Sequence, residues 1–454
     1  MPHRRLLLLC LIQCVVANGF SVQPQSPSFR PERSGLDINS NPRIGPSLVQ
    51  PYTNGEASTN VSDGTTAIIL NTNARSVTKD LEPLAASIFG TSHVFCTTTE
   101  VEAKQAADHI VQNLQSYKLV VPVGGDGTLA SMINYLCDSI GGDVDEAMGK
   151  LPLIGYIPLG TGNGVGSVIG CRLSRGLARG TKRRKRKRLE HIMNALRRVG
   201  QGTLPKSNDF EVVEMPMMEV THPVDGQVPT PRGDLCFFAG VGFDSLMLND
   251  FKNIKAWSHK TGILRDFLGS VAGYCVALVV KTLPKCLVRG EHNIRVELTS
   301  NDPDCVWVDH RRGDMVRPCG EAKLYEGTTG ILAAGTSPFY GGGLRLFPFA
   351  RMTLDKMHLR LGRIHPVDGF VNIPSIFAGS YRDKSDRFGC LDFIGDDFEV
   401  RVQSTTAAPN SDGRGYPFQH SGESIGHVER FRLRVVKNSV RFVSFLKPRL
   451  ERDD

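Results

Sequence analysis

The chain has 454 residues, 40% of them hydrophobic and 22% charged, which is globular composition and enough length for two domains, since single cores stop growing near ~250–300 residues. Net charge is +8, but seven of the basic residues form one run, Lys182 to Arg188, so a uniformly basic nucleic-acid binder is not indicated. Eleven cysteines are scattered without a CxxC or Cys/His spacing, which argues against structural zinc and a disulfide framework and for reduced core thiols.

In chain order, residues 1–19 read as a secretory-type signal peptide. Arg4 and Arg5 precede Leu6–Ile12, and small residues follow around Ala17. Residues 20–64 form a Ser/Pro/Asn-rich leader of low hydrophobicity, expected to be disordered. A signal peptide ending before Phe20, with an acid-poor leader behind it, resembles the bipartite plastid presequences of algae with secondary plastids. Ordinary secretion is the alternative, and unpaired cysteines favour the reducing stroma.

From Thr66 the pattern changes to short apolar strands alternating with helical segments. Ala67–Leu70, His93–Phe95, Lys118–Val123 and Leu151–Leu159 read as strands, with helices over about 79–88 and 100–114. That alternation predicts a parallel α/β sheet over 65–204. Residues 205–440 are β-rich, with strand-like runs at Phe210–Val213, Leu235–Gly240, Asn293–Leu298, Ile331–Ala334, His358–Leu361, Phe398–Gln403 and Phe431–Val436. An apolar helix is expected from Gly262 to about Leu283, and residues 441–454 read as a tail. The fold class is thus a Rossmann-like α/β domain followed by an antiparallel sandwich or barrel, with a site in the cleft between them.

Five glycine-bearing motifs punctuate this layout. Gly124-Gly125-Asp126-Gly127-Thr128 follows a strand and opens a helix, where glycine lets backbone approach phosphate oxygens and the helix start offers free N–H groups. Asp126 in its middle suits a magnesium ion or proton transfer, or a helix cap. Pro158-Leu159-Gly160-Thr161-Gly162-Asn163-Gly164 sits in the next βα turn, with Thr161 and Asn163 suited to nucleotide hydrogen bonds. No Gly-Lys-Ser/Thr follows, so this is not a Walker A loop. The others are Phe237–Asp244, Gly335–Gly343, and Phe418-Gln419-His420-Ser421-Gly422-Glu423.

In this order and spacing the motifs resemble the diacylglycerol kinase catalytic-domain superfamily, which includes sphingosine and ceramide kinases, over roughly residues 65 to 440. The resemblance implies a Mg2+-assisted transfer from ATP to a lipid hydroxyl. It lays Gly124 to Ala130, which includes Gly125, Asp126, Gly127 and Thr128, along the ATP phosphates. It sets Gly160, Thr161, Asn163, Asn71 and Thr97 around the nucleotide. Glu423 falls on the proton-accepting acid, with Asp126 on the magnesium network or in the reverse role, and Asp355 falls near a structural magnesium site. Three departures stand out. The family's Asp-Gly-Glu is Ser421-Gly422-Glu423, its Asn-Asp is Asn163-Gly164, and its first-strand Asn-Pro-x-Ser-Gly is Asn71-Thr72-Asn73-Ala74-Arg75.

The acceptor stays open between diacylglycerol, monoacylglycerol, sphingoid base and ceramide. A kinase of a soluble substrate such as NAD, or a non-catalytic lipid-binding relative, are the competing readings. The partner expected is lipid at a membrane surface, with no nucleic acid and no protein partner. The Lys182–Arg188 run, expected in a loop, suits anionic lipid, a solvated surface or a nuclear signal, the last disfavoured by the secretory-type N-terminus.

Overall fold

A computed structural model describes residues 65–444, apart from 75, 161–162, 170–181, 203–210, 223–231, 262–272, 274–275, 291–292, 313, 341–343, 364–371, 373–374, 377–378, 382–389 and 405–414. The signal peptide, the leader, Thr161 and most of the apolar stretch after Gly262 therefore lie outside the described residues.

The α/β half is built on β1 (Thr65–Asn71), β2 (Val94–Thr97), β3 (Tyr117–Gly124), β4 (Leu153–Ile154) and β5 (Ile157–Pro158). These pair in parallel in the order β2-β1-β3, with β4 and β5 both against β3. The strands are apolar runs because both faces of the sheet are covered. Helices α1 (Leu81–Phe89), α2 (Glu100–Gln112), α3 (Asp126–Ile140), α4 (Val144–Gly149), α5 (Gly164–Val168) and α6 (Lys182–Gly200) accompany them. Thr99 and Glu102 form a capping box that starts α2 on schedule.

Two findings revise the sequence reading of this half. The basic run is the first two turns of α6 rather than a loop. Lys and Arg are good helix formers, and further on Ile192, Met193, Leu196 and Val199 bury one face against the sheet and α1. The sheet is also completed from far along the chain. β21 (Val440–Ser444) lies parallel to β4, and β6 (Glu211–Met215) runs antiparallel to β21. Residues 441–444 are thus sheet rather than tail, and the described part of the Phe210–Val213 run, Glu211–Val213, belongs here rather than to the second half. Their period-2 pattern fits either sheet, so only tertiary pairing assigns them.

The β-rich half holds two antiparallel sheets. One orders β13 (Lys323–Thr329), β10 (Ile294–Ser300), β17 (Asp397–Ser404), β20 (Arg430–Val435), β7 (Met218–Thr221) and β8 (Asp234–Cys236). The other orders β12 (Met315–Pro318), β11 (Val306–Asp309), β16 (Leu391–Gly395), β15 (Met357–Gly362), β14 (Ile331–Gly335), β9 (Phe238–Gly242), β18 (Tyr416–His420) and β19 (Glu423–Val428). Helix α7 (Phe243–Thr261) follows β9, and α8 (Leu283–Arg289) follows one π-helical turn over Leu278–Thr282. Among the described residues no helix is long and apolar enough to cross a membrane.

Polar clamps hold the halves in one relation. Asn134 on α3 exchanges two 2.8 Å hydrogen bonds with the backbone of Leu235. Arg434 reaches Asp145 at the start of α4 (2.8 Å) and Glu219 on β7 (2.9 Å), and the Lys437 N–H donates to Asp145 at 2.6 Å. The β18–β19 hairpin of the other sheet reaches the first glycine loop, with the Ser421 carbonyl 3.6 Å from where a Cβ of Gly127 would stand.

Candidate active site

The carboxyl ends of β1, β2, β3 and β5 converge, which is where open parallel sheets bind ligands. At the end of β3 the chain turns through Gly124 and Gly125 into α3. No side chain caps that helix, so the N–H groups of its first turn stay available to an anion. Asn71, at the end of β1, donates to Thr128 Oγ1 at 2.8 Å and ties the first strand to this loop.

The second glycine loop packs directly on the first. A Cβ at Gly160 would stand 2.2 Å from the Gly125 Cα, so only glycine permits this approach. Gly124 is required for a similar reason, because a Cβ there would meet Thr128 Oγ1 at 2.5 Å. Two loops in backbone contact beside an uncapped helix start fit the flexible, negative phosphate chain of a nucleotide.

Asp126 joins the loops. Its Oδ2 accepts from the Gly164 N–H at 2.6 Å, and its Oδ1 from the Val165 N–H at 3.3 Å and the Tyr156 hydroxyl at 3.2 Å. Tyr156 reaches it because the pairing with β3 breaks between β4 and β5, and its ring is fully buried there. Burial pushes the Asp126 carboxyl up to about 7, against the pull of those donors. The residue braces the second loop's helix, and both oxygens are engaged. Asn163 likewise closes its own loop, donating to the carbonyls of Pro158 and Gly160 and accepting from the Gly160 N–H at 3.1 Å. The hydroxyl of buried Thr97 turns to the Leu70 carbonyl, while exposed Thr98 joins Thr72 at 2.9 Å.

Above the first loop sits the β18–β19 hairpin. His420 pairs with Glu423, and the two residues between them, Ser421 (φ 47°) and Gly422 (φ 81°), are both left-handed, as a type I′ turn demands. Ser421 is held by its N–H to the Phe238 carbonyl (2.9 Å) and by its Oγ, which accepts from the Phe237 N–H (3.4 Å). The turn aims Glu423 at the first loop, with Oε1 3.4 Å from where a Cβ of Gly127 would stand. Lys252 of α7 donates to Glu423 Oε2 at 3.1 Å.

Residues 65–197 match the family model of the diacylglycerol kinase catalytic domain. The chain carries a domain of the diacylglycerol kinase catalytic-domain superfamily. Its fold is also similar to that of a putative diacylglycerol kinase from Bacillus anthracis str. Sterne, at 16% identity and TM-score 0.49, covering 88% of this chain and 100% of that one. A second diacylglycerol kinase from that organism is 12% identical with TM-score 0.44, covering 85% and 98%. Yeast NADH kinase complexed with NADH is 9% identical with TM-score 0.39, covering 85% of each chain. No curated protein matches the chain.

Beyond the catalytic domain, three motifs of the β-rich half meet in one buried network. The Tyr340 hydroxyl and Gln419 Nε2 (3.1 Å) both donate to Asp244 Oδ2, Gln419 also contacts the Tyr340 hydroxyl, and the Gly422 N–H donates to Gln419 Oε1 at 3.3 Å. Burial pushes the Asp244 carboxyl up to about 6. A Cβ at Gly240 would stand 2.5 Å from Asp244 Oδ2, which explains the glycine of that motif. Sequence reasoning singled out these motifs one by one but missed Lys252, Gln419 and Tyr156 as partners. Only Gln419 carried a signal, its place in a polar turn.

Among the described residues, neither Asp126 nor Asp355, the two carboxylates expected near magnesium, belongs to a group of three metal-ligating side chains. Asp355 is exposed in a groove with Gly149, Glu214, Lys437 and Asn438, which shares no residue with the glycine loops. Among the described residues no group of three His, Cys, Asp or Glu side chains could hold a metal ion.

Proposed function

We propose that this protein is an ATP-dependent lipid kinase, with Glu423 accepting the proton of the acceptor hydroxyl. The single observation that carries the proposal is the approach of the Glu423 carboxylate to Gly127, which brings a proton acceptor from one half against the phosphate loop of the other. Phosphoryl transfer asks the protein mainly for positioning and charge stabilisation. The uncapped first turn of α3 takes the phosphates, Gly125 and Gly160 keep the loops close, and Asp126 braces the second loop without taking part in proton transfer. Glu423, more than half exposed, faces the open side from which an acceptor arrives. Lys252 beside it supplies positive charge where the transferring group gathers negative charge.

The test incubates the full chain with labelled ATP, Mg2+ and a panel of diacylglycerol, monoacylglycerol, sphingoid base, ceramide and NAD. Label is expected on a lipid hydroxyl and not in the Glu423→Gln variant. Label on NAD alone would overturn the lipid assignment, and a lack of turnover with every acceptor would overturn the catalytic one. A lipid acceptor would also fit docking of the Lys185–Arg188 face of α6 on anionic membrane, and the secretory or plastid destination proposed from the N-terminus would bring the enzyme to such membranes.

A further inference from the structure

We propose that Cys305 and Cys319 form a reversible redox pair that closes into a disulfide when the protein meets an oxidising thiol–disulfide pool. The two residues flank the β11–β12 hairpin. Val306 pairs with Pro318, so the next pair outward is Cys305 with Cys319, and the Cys319 N–H donates to the Cys305 carbonyl at 3.0 Å. Directly opposed antiparallel residues keep their Cα atoms about 4.5–5.5 Å apart, inside the range a disulfide spans. The Sγ atoms already touch at 3.6 Å.

The surroundings give the two sulfurs different roles. Cys305 is buried, packed where an added Cβ on Gly395 would stand 3.3 Å from its Sγ. Cys319 is only half-buried, so it is the sulfur a solute can reach. The Cys319 thiol donates toward Cys305, which favours thiolate at Cys305 and holds its pKa below the usual thiol value. The Lys356 ammonium, anchored to Asp302 at 3.0 Å, adds to that effect, whereas the Asp302 carboxylate opposes it. The remaining described cysteines are Cys96, which is exposed, and Cys137, Cys236, Cys286 and Cys390, which are buried.

The oxidant is a low-molecular-weight disulfide. Along the existing S–H···S contact the Cys319 thiol passes its proton to the Cys305 sulfur, and the exposed Cys319 thiolate attacks the small disulfide, forming a mixed disulfide and releasing one thiolate; Cys305 then gives that proton to the released thiolate, attacks Cys319 Sγ and releases the second. The two cysteine thiols are oxidised and lose two protons, while the small disulfide is reduced and yields two thiols. The bond closes the hairpin at one edge of the eight-stranded sheet. The hairpin bearing Glu423 forms the opposite edge. Closure therefore stiffens the sheet without touching the glycine loops.

The experiment equilibrates the full chain with stepped ratios of oxidised to reduced glutathione, blocks remaining thiols with N-ethylmaleimide, and digests with trypsin. Cleavage after Arg311 and Arg312 puts the two cysteines on separate peptides. A linked pair lighter by two hydrogen atoms, lost on reduction with dithiothreitol, is expected. The melting temperature should rise by roughly 5 °C on oxidation, as a loop of this size predicts, and should not rise in Cys319→Ser. A stable glutathione adduct on Cys319 with Cys305 still alkylated, or both thiols alkylated across the whole series, would overturn the proposal.

Discussion

Two buried aspartates, one in each half, solve the same problem by different means. Asp126 and Asp244 are each 6% exposed, and burial raises both carboxyls, to about 7 and about 6. Asp126 is satisfied mainly by backbone N–H groups of the neighbouring glycine loop. Asp244 takes its Oδ2 donors from the side chains of Tyr340 and Gln419, 96 and 175 residues away. The α/β half thus builds its share of the site from backbone and close glycine contact. The β half builds its share from side chains gathered along the whole chain. A backbone site fails when a Cβ intrudes, and a side-chain site fails when one donor is removed.

The largest effect should come from the point where the halves meet. If the proposed base is Glu423, Glu423→Gln lowers turnover by roughly 10²–10⁴-fold while leaving the melting temperature and ATP affinity unchanged, as steady-state kinetics and calorimetry would show. Next is the backbone side. Gly160→Ala sets a methyl 2.2 Å from the Gly125 Cα, and overpacking of about 1–3 kcal/mol should weaken binding of an ATP analogue roughly 10-fold or more. Gly125→Ala is the sharper comparison, because its methyl would stand 3.4 Å from the Gly160 Cα, an ordinary contact, so any loss of binding there reports on the approach of the phosphates and not on loop packing.

On the side-chain side, Tyr340→Phe removes a hydroxyl donor from buried Asp244 and should cost about 1–3 kcal/mol in denaturant unfolding. The loss of activity should follow the stability loss rather than a change in ATP binding.

The pH dependence separates the aspartates from the exposed carboxylates. A carboxyl whose folded pKa lies above its unfolded value binds more protons when folded, so it favours folding most below pH 4. That contribution disappears as pH rises through the folded pKa. Asp126 should therefore lower the melting temperature progressively between about pH 4 and pH 7. Asp126→Asn, which mimics the neutral form, should flatten that slope. The smallest effect concerns Lys252. Its pair with Glu423 is largely exposed and worth less than about 1 kcal/mol, so Lys252→Gln should leave the melting temperature unchanged and lower turnover modestly.

Much of the α/β half was legible because its signals are local. Strand, glycine turn and helix start lie within a dozen residues at Val120–Leu129, so the whole loop is written in that stretch of backbone. The β half was legible as strands but not as partners. Period-2 patterning says which residues share a face but not which strand lies alongside, so the transfer of Glu211–Met215 and Val440–Ser444 to the first sheet could not be foreseen. The role of Asp126 escaped for a related reason. Its neighbours in sequence make it look like a free carboxylate, and only the packing of Gly125 on Gly160 puts the Gly164 N–H within 2.6 Å of it.

By itself the sequence determined the strand–helix alternation and the two glycine loops, because each follows from backbone preferences over a few residues. Tertiary structure alone decided that Glu423 faces Gly127, that Lys252 accompanies it, and that Cys305 touches Cys319. Those contacts join segments that the chain order leaves far apart or separates by a turn, and packing rather than local preference brings them together.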